Sequence, residues 1–414
     1  MNRFVQPVGG AESYMFSLAA LQRAAGHEVE TFGVAPYGST AARYSAEFPK
    51  DIERRGSRPE KIRALGRMMW STTARRGIRQ VLVDFRPDVV HAHNVYHELS
   101  PSVLGPVAER NVPCVMTLHD YKLACPSQEM LAHGKLCDAC LPGRYWQAVR
   151  VRCKDDSLAA SAAVASEAYL HRGLGSYDVV SRFLCPSRFL ADTMARARVY
   201  PERLRVVPHF IDAAQITAKS SPGHLFVYAG RLVASKGVDV LLDAIAHVPK
   251  ARLVIAGEGP DGDKLRKQAA QLSLDRVSFL GHISRHEFLK LLLRARALVV
   301  PSRWYENQPM AVLEAQSVGV PVIASRLGGL SELVQDSVTG FLTAPGDCLS
   351  LASRARRLAD DPIEAMRMGR TGRESVLLHF NPTDHYRRVL GAYRDAAENT
   401  LHRQHAVPRG TRTK

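Results

Sequence analysis

The chain has little of what membrane-spanning and secreted proteins depend on. Its 414 residues contain no apolar run near the roughly 20 residues that a membrane-spanning helix needs. No secretory signal stands at the N-terminus. Only seven cysteines occur, which is typical of free or metal-bound thiols in a reducing compartment. These absences argue against an integral membrane protein and a disulfide scaffold, and they predict a cytoplasmic location.

Positive charge is what the chain has in excess, with 56 Lys and Arg against 40 Asp and Glu and a net charge of +16. Such a balance predicts acidic partners: nucleic acid, anionic lipid or phosphorylated substrates. No nucleic-acid-binding fingerprint accompanies the charge, so nucleic acid is not expected among them. The sequence does not indicate an oligomeric state.

Part of this charge is concentrated between residues 54 and 79, where nine Lys and Arg stand against one acid, Glu60. Apolar side chains interleave with them at near-helical spacing: Ile62, Leu65, Met69 and Trp70. Two interpretations stay open. The segment is either an amphipathic helix that holds the protein on the anionic inner face of the cell membrane, or a helix packed on a sheet with a solvated basic face.

Strand and helix patterns alternate through most of the sequence, which predicts an α/β fold with parallel sheets covered by helices on both faces. The alternation stops at a stretch with Ser, Lys and Pro-Gly and then restarts. We therefore expect two facing Rossmann-like, doubly wound domains with a cleft between them, where ligands bind at the carboxyl ends of strands. The expected segments are an acceptor-side domain (1–212) with a Cys-rich insertion (125–153), a linker (213–223), a donor-binding domain (224–380), a helix crossing back (381–400) and a disordered basic tail (401–414). Because only Met1 to Gln6 precede the first glycine turn, the first strand is expected to be truncated.

The most informative stretch contains two carboxylates, Glu306 and Glu314, with Pro309 between them. Proline fixes φ and has no N–H to donate, so Pro309 fits the first position of a helix. Free backbone N–H groups at such a helix start favour a phosphate. The stretch predicts a ligand with hydroxyls at both ends and a diphosphate in the middle. On spacing alone, a surface Glu and an unrelated helix Glu are an equal alternative.

Two glycine-containing turns favour the phosphate interpretation. Gly9 and Gly10 lie between the short first strand and a helix, where glycine lets the backbone approach a ligand. Arg231 and Lys236 follow the first strand of the second half, and their side chains are suited to converge on a diphosphate. Ordinary surface charge is the alternative for this pair.

The stretch from Gly257 to Gly262 matches the dinucleotide fingerprint G-x-G-x-x-G. It follows the second strand of its domain, however, and Asp275 comes too early for the position that binds ribose. A nicotinamide dehydrogenase is therefore disfavoured. We interpret Gly257 and Gly259 as residues that let a nucleotide approach this loop.

His119 ends a buried strand of the first domain, at the edge expected to line the cleft. An imidazole there can donate a hydrogen bond to a hydroxyl or to a developing charge. A structural histidine at a strand end is the alternative.

Four cysteines in a loop-rich stretch have the spacing C-x11-C-x2-C-x12-C: Cys125, Cys137, Cys140 and Cys153. Four thiolates with one C-x2-C pair resemble a structural zinc site. The second pair is not closely spaced, so unliganded thiols are favoured and zinc is the alternative.

Taken in order, these motifs resemble the retaining glycosyltransferases of family 4, which have the GT-B fold. The resemblance rests on five stretches that extend over nearly the whole chain: 9–12, 117–121, 230–237, 256–260 and 306–314. The Cys-rich insertion after His119 also resembles a subgroup that acts in bacterial surface-polysaccharide assembly. One departure is the stretch from Pro208 to Asp212, where the family commonly has Asn-Gly before the apolar residue and the Asp.

The resemblance implies a role for each matching residue. Arg231 and Lys236 would hold the donor diphosphate and stabilise the leaving group, and His119 would contact the sugar near the reacting carbon. Glu306 would hold hydroxyls of the transferred sugar, and Glu314 would hold the ribose. Further donor contacts are implied for Gly10 against the diphosphate, for Gly257 and Gly259 in their loop, and for His282 and Ile283 beside the base. At the helix start they are implied for the backbone of Asn307, Gln308, Pro309 and Met310. Catalysis would need no metal and no other cofactor.

The expected function is transfer of a sugar from a UDP- or GDP-sugar to a saccharide or lipid-linked acceptor in polysaccharide or glycoconjugate biosynthesis. Two alternatives stay open: a nucleotide-sugar epimerase of the same fold, and a non-catalytic partner subunit that binds a nucleotide-sugar.

Overall fold

The computed structural model describes residues 1–6, 9–34, 43–49 and 58–406. The strands are β1 (Val90–Ala92), β2 (Cys114–Thr117), β3 (Leu131–Ala132), β4 (Lys135–Leu136), β5 (Val180–Cys185), β6 (Leu204–Val206), β7 (Leu225–Ala229), β8 (Arg252–Ala256), β9 (Val277–Gly281), β10 (Ala295–Val300), β11 (Val322–Ser325) and β12 (Gly340–Thr343). The helices are α1 (Gly10–Ala24), α2 (Arg58–Met69), α3 (Thr72–Asp84), α4 (Leu104–Glu109), α5 (Trp146–Arg150), α6 (Leu158–Gly173), α7 (Arg188–Arg196), α8 (Val238–Ala246), α9 (Gly262–Gln271), α10 (Arg285–Leu293), α11 (Met310–Val318), α12 (Leu330–Leu333), α13 (Cys348–Asp360), α14 (Pro362–His379) and α15 (Pro382–Ala406).

The first sheet is parallel and has the order β1-β2-β5-β6. Strand β2 is buried along its whole length, which fits its uninterrupted apolar sequence in a sheet covered on both faces. Residues 28–34 contribute one isolated parallel bridge, between Val34 and Phe4. The first four residues lie between that segment and β1, since Asn2 N–H donates to Phe32 O and His93 N–H donates to Met1 O.

The second sheet has six parallel strands in the order β12-β11-β10-β7-β8-β9. The chain enters at β7 and runs outward through β8 and β9, then returns to β10 on the other side of β7. Strands β7 and β10 therefore flank the point where the strand order reverses. In doubly wound sheets, ligands bind outside the carboxyl ends of the strands at that point.

Helix α15 covers the first sheet. Its buried Val389, Ala392 and Ala396 pack with Tyr14 of α1 and Leu184 of β5 in one apolar cluster. The C-terminal end of the chain thus closes onto the first sheet after the second sheet is complete. The predicted domain boundaries stay predictions. Helix α15 continues to Ala406, so residues 401–406 are helical and not part of a disordered tail, and residues 407–414 lie outside the described residues.

The basic segment consists of two helices with different surroundings, so neither sequence interpretation applies to all of it. Helix α3 begins where the hydroxyl of Ser71 accepts from Ala74 N–H, and it buries Ile78, Val81 and Leu82 in the core. Helix α2 leaves apolar side chains in solvent: Ile62 is 70% exposed, and Leu65 and the following Trp70 are also exposed. Arg54 and Arg55 lie outside the described residues.

Among the helices of the described part of the chain, none is at once long and apolar enough to span a bilayer.

Candidate active site

The loops after β7 and β10 meet at the reversal point and carry the predicted cation and carboxylate. Lys236 Nζ lies 2.7 Å from Glu306 Oε1, and the hydroxyl of Ser302 donates to the same oxygen at 2.6 Å. Glu306 is only 5% exposed. Lys236 also lies over the Trp304 ring, 4.8 Å from its centroid. The structure therefore joins two residues that lie 70 positions apart in the sequence.

Glu306 is held as a carboxylate. Burial acts to raise its pKa, but the charge of Lys236 and the hydrogen bonds from Lys236 and Ser302 outweigh burial and lower the pKa. A carboxylate that stays ionised accepts hydrogen bonds and does not deliver a proton. The geometry suits a residue that holds hydroxyls, and the role of Glu306 in binding the transferred sugar stays a prediction.

Arg231 is the second cation at this edge of the sheet. Its side chain is exposed, and its backbone carbonyl accepts from the hydroxyl of Tyr228 at 3.0 Å. Within the described residues its guanidinium forms no ion pair. A free guanidinium beside a paired ammonium can bind an incoming diphosphate without first breaking a protein contact.

Two helix starts face each other across the cleft. A Cβ added at Gly10, the first residue of α1, would lie 4.0 Å from Met310 Cγ, the first residue of α11. Pro309 has an extended ψ of 122° and stands immediately before α11. The helix therefore begins at Met310, one residue later than the sequence predicts. In the described part of the chain, the backbone N–H groups of Asn307 and Met310 donate to no protein acceptor. The unpaired N–H groups of Asn307 and Met310 are therefore available to an anion at the place where the two helices begin.

The side chains of Asn307 and Gln308 contact the first half of the molecule, whereas the donor contact that the resemblance implies belongs to the backbone of this segment and stays a prediction. Asn307 Oδ1 accepts from the Ser187 hydroxyl at 2.8 Å, and its Nδ2 donates to Leu118 O at 3.2 Å. Gln308 Oε1 accepts from His209 N–H at 2.6 Å. These amides connect the two halves of the molecule, which leaves only the backbone of this segment for a ligand.

Glu314 lies on α11 with its carboxylate paired to Arg285 Nε at 2.6 Å. Burial raises the pKa of Glu314, and the charge of Arg285 opposes that effect. Arg285 opens α10, just beyond His282 and Ile283 of the predicted base-side loop. The sequence analysis missed it, although its position at the start of a helix after that loop is a signal of a ligand contact.

Gly257 and Gly259 have a structural reason that differs from the predicted one. A Cβ at Gly257 would lie 1.9 Å from Gly230 O, and one at Gly259 would lie 2.2 Å from Leu232 O. The space that these glycines leave is filled by the backbone of the Arg231 loop, not left open to a nucleotide. They therefore position Arg231. In the neighbouring loop, His282 N–H donates to the Glu258 carboxylate at 3.3 Å.

Two further glycines that the sequence analysis missed pack on the Glu306 loop. A Cβ at Gly329 would lie 1.6 Å from Asn307 O, and one at Gly328 would lie 2.5 Å from Glu306 O. The N–H of Gly329 donates to Glu306 O at 2.7 Å. Nothing in the local sequence indicates this contact, because the two loops are more than 20 residues apart.

His119 follows β2 and belongs to a row of imidazoles. Its Nε2 lies 3.0 Å from His93 Nδ1. The ring centroids are 4.4 Å apart for His91 and His93, 5.3 Å for His93 and His119, and 5.3 Å for His119 and His209. We call these four residues the histidine stack. Burial lowers the pKa of His119 to about 3, so its imidazole is neutral near pH 7.

The four clustered cysteines do not form the zinc site that was considered. All four line one small cavity, together with Ser127 and Asp138. Within the described residues, however, no three His, Cys, Asp or Glu side chains are arranged to hold a metal ion. Cys125 Sγ instead lies 3.2 Å from the Ser127 hydroxyl.

Comparison with protein families gives two adjoining matches. Residues 8–215 match the family described as Glycosyltransferase Family 4, and residues 211–375 match the family described as Glycosyl transferases group 1.

Individual relatives extend over nearly the same range. The chain is 30% identical to the glycogen synthase of Mycobacterium tuberculosis over 404 aligned residues, which cover 90% of this chain and 88% of that protein. It is 29% identical to a D-inositol 3-phosphate glycosyltransferase of Acidothermus cellulolyticus, over 75% of this chain and 67% of that protein.

Solved structures of similar fold include the sucrose-phosphate synthase of Thermosynechococcus elongatus, with a TM-score of 0.71 at 21% identity and 94% of both chains covered. HepE of Anabaena, in complex with UDP-glucose, has a TM-score of 0.64 at 17% identity, covering 95% of this chain and 98% of that chain. The two parallel Rossmann-like sheets are thus those of the GT-B fold, as predicted.

Proposed function

The chain belongs to glycosyltransferase family 4, retaining enzymes that use nucleotide-sugar donors, and we propose that it transfers a hexose from a UDP- or GDP-sugar to a saccharide or lipid-linked acceptor. The observation that carries the proposal is the pairing of Lys236 with Glu306 beside the free Arg231. These residues stand where two helix starts converge at the reversal point of the second sheet. The arrangement supports binding of a diphosphate with a sugar at one end and a ribose at the other.

In the proposed reaction, Arg231 and Lys236 stabilise the negative charge that grows on the diphosphate as the bond to the sugar breaks. Preorganised cations of this kind commonly supply the largest part of a rate enhancement. Glu306 accepts hydrogen bonds from sugar hydroxyls, and Glu314 with Arg285 holds the ribose end. The acceptor hydroxyl attacks the face that the nucleotide leaves, and a departing phosphate oxygen takes the acceptor's proton, which retains the configuration.

The subgroup assignment and the acceptor are part of the same proposal. The exposed apolar side chains of α2, with Arg63 on the same helix, support binding to an anionic membrane that would carry a lipid-linked acceptor. We propose bacterial surface-polysaccharide assembly as the setting, on the resemblance of the Cys-rich insertion.

The donor can be identified by thermal shift with UDP, GDP, ADP and their common sugars. A ligand that binds the folded state raises the melting temperature according to its concentration and Kd. We expect one base to give a clearly larger shift than the others, and Glu314→Ala to reduce that shift. A panel without any shift would contradict the donor site.

Turnover with the identified donor tests the catalytic assignment. Arg231→Ala is the clean variant because its guanidinium has no ion-pair partner to leave behind in the described residues, so folding should be unaffected. We expect kcat to fall by about a hundredfold or more. Lys250→Ala is the matched control, since this exposed lysine of the same domain pairs with Asp360 on the surface and should keep full kcat. Full kcat in Arg231→Ala would refute the assignment.

Product analysis separates the alternatives. A changed sugar nucleotide formed without acceptor would indicate an epimerase, and donor binding without turnover over a broad acceptor panel would indicate a non-catalytic partner subunit.

A further inference from the structure

The family resemblance implies that His119 contacts the transferred sugar, and we include that contact in the proposed function. The other members of the histidine stack have no role in it. Buried histidines in a row are costly unless their nitrogens are satisfied. His91 is satisfied at both nitrogens, by the Tyr393 hydroxyl and the Thr117 hydroxyl, each at 2.8 Å. His93 directs its Nδ1 at His119 Nε2. The member next to the reacting centre is thus held by another imidazole, not by a carboxylate or a backbone carbonyl.

We infer that His93 is a positioning residue: its hydrogen bond to His119 Nε2 fixes the ring and the tautomer that His119 presents to the donor sugar. The inference rests on the proposed function, in which His119 meets the sugar.

The tautomer argument follows from counting hydrogens. Burial lowers the pKa of both imidazoles, so each is neutral and has one N–H and one lone pair. The 3.0 Å contact therefore holds one hydrogen. If His93 donates from Nδ1, His119 carries its hydrogen on Nδ1 and can donate from there. If His119 donates from Nε2, its Nδ1 is an acceptor, so the tautomer of His93 sets the role of His119 Nδ1. That nitrogen has no hydrogen-bond partner in the described part of the chain, so it is the one available to a ligand.

The neighbours of His93 fix its position in turn. Its ring stacks on His91 at an interplanar angle of 18°, and its backbone N–H donates to Met1 O at 2.9 Å. On the far side of His119 lies His209, which is 4% exposed and packs on Tyr14 with ring centroids 4.0 Å apart. His119 is therefore enclosed between two rings, and the hydrogen bond between His93 and His119 selects the orientation of the His119 ring within that space.

Two variants separate the hydrogen bond from packing. His93→Leu removes the bond and keeps a buried side chain of similar size, whereas His93→Asn places an amide where Nδ1 was and can restore the bond. We expect kcat to fall by roughly tenfold to a hundredfold in His93→Leu, the range seen for residues that orient a functional histidine. The donor KM should change little, and His93→Asn should recover most of kcat.

The tautomer is measured directly on protein labelled with [15N]histidine. The two nitrogens of a neutral imidazole have distinct shifts that report which one carries the proton, and a His119→Asn spectrum identifies the His119 signals. We expect a single tautomer of His119 in the wild type and averaged shifts in His93→Leu. The inference is overturned if the His119 shifts in His93→Leu are the same as in the wild type. It is also overturned if those shifts become averaged while kcat stays at the wild-type value.

A double-mutant cycle distinguishes this inference from the proposed function. If His93 acts through His119, His93→Leu should have no further effect on kcat in a His119→Asn background. An equal further loss there overturns the positioning role. Full kcat in His119→Asn alone refutes the proposed contact of His119 with the sugar, while the spectra still report whether His93 sets its tautomer.

Discussion

At the scale of single residues, the two carboxylates of the site are each paired with a cation before any ligand arrives. Lys236 has three hydrogens to donate, so it can keep its contact with Glu306 and still reach a phosphate oxygen. Arg285 and Glu314 are related in the same way at the other end of the site. The protein thus holds the charged ends of the site in place and adds Arg231 as the cation that is free to bind.

The pairing predicts that Lys236 variants lose stability as well as catalysis. In Lys236→Ala the buried Glu306 carboxylate loses its counter-charge, and breaking one partner of a buried pair costs about 3–5 kcal/mol. We expect urea denaturation to show a large fall in the free energy of unfolding. Lys236→Ala/Glu306→Gln should recover part of it, because a neutral amide no longer needs the counter-charge.

The same pair of variants separates folding from chemistry. Both should show kcat reduced by about a hundredfold or more, since neither supplies the cation for the leaving diphosphate. Recovery of kcat together with stability in the double variant would mean that Lys236 serves folding alone.

At the scale of elements, close contacts between loops hold the site. The loop that contains Gly328 and Gly329 packs on the backbone of Glu306 and Asn307, and the loop that contains Gly257 and Gly259 packs on the Arg231 loop. Catalytic side chains on loops are only as well placed as the loops themselves. Glycine is needed at these four positions because a Cβ would meet a carbonyl oxygen or its backbone.

Gly329→Ala tests the loop contact with little backbone strain, since the residue has φ −68° and ψ −11°, which alanine adopts readily. Its Cβ would lie 1.6 Å from Asn307 O, so the two loops must separate. We expect a loss of about 1–3 kcal/mol in the free energy of unfolding, the usual cost of overpacking, and weaker donor binding by calorimetry.

Gly391→Ala is the control for that variant. Gly391 lies in α15, and a Cβ there meets no atom within 4 Å. Alanine favours helix over glycine, so this variant should be neutral or more stable by about 1 kcal/mol. An equal free energy of unfolding in Gly329→Ala and Gly391→Ala would contradict the steric argument.

Helix α15 is attached to the first sheet through a buried histidine that makes the protein sensitive to acid. His385 Nδ1 lies 2.7 Å from Pro208 O, which can only accept, so Nδ1 carries the hydrogen and Nε2 accepts from the Tyr14 hydroxyl. Burial lowers the pKa of His385 to about 4, although the Pro208 carbonyl opposes the effect. The unfolded chain then binds more protons than the folded chain below its own pKa of about 6.5.

We therefore expect the free energy of unfolding to fall as the pH drops from about 7 to 4. His385 alone should account for a loss of about 3 kcal/mol at pH 4. Urea denaturation at pH 8, 6 and 5 measures this slope. His385→Asn keeps a donor for Pro208 O and does not titrate, so its slope should be shallower. His286→Asn changes an exposed histidine of α10 and should leave the slope as in the wild type. Equal slopes in all three proteins would exclude His385.

At the scale of the whole molecule, local patterns predict the fold and one wall of the site, and long-range contacts account for the rest. Buried parallel strands are continuous apolar runs, so their order in the sequence predicts two parallel sheets. Because Arg231, Lys236 and Glu306 follow strands at the reversal point, topology alone brings them near each other. The bond of Gln308 to His209 and the contact of Gly329 with Asn307 join distant parts of the chain, and no local pattern specifies them.

The net charge of +16 and the exposed side chains of α2 predict that the enzyme binds anionic membranes. Ile62 and Leu65 would enter the interface while basic residues attract the lipid headgroups, an attraction that salt screens. We expect co-sedimentation with vesicles containing phosphatidylglycerol, little with phosphatidylcholine alone, and weaker binding as the salt concentration rises.

Ile62→Glu/Leu65→Glu should lower binding at least tenfold. Ile363→Glu is the control, since Ile363 is 81% exposed on α14 of the second domain. Equal loss in the control, or binding that does not respond to salt, would rule out docking through α2.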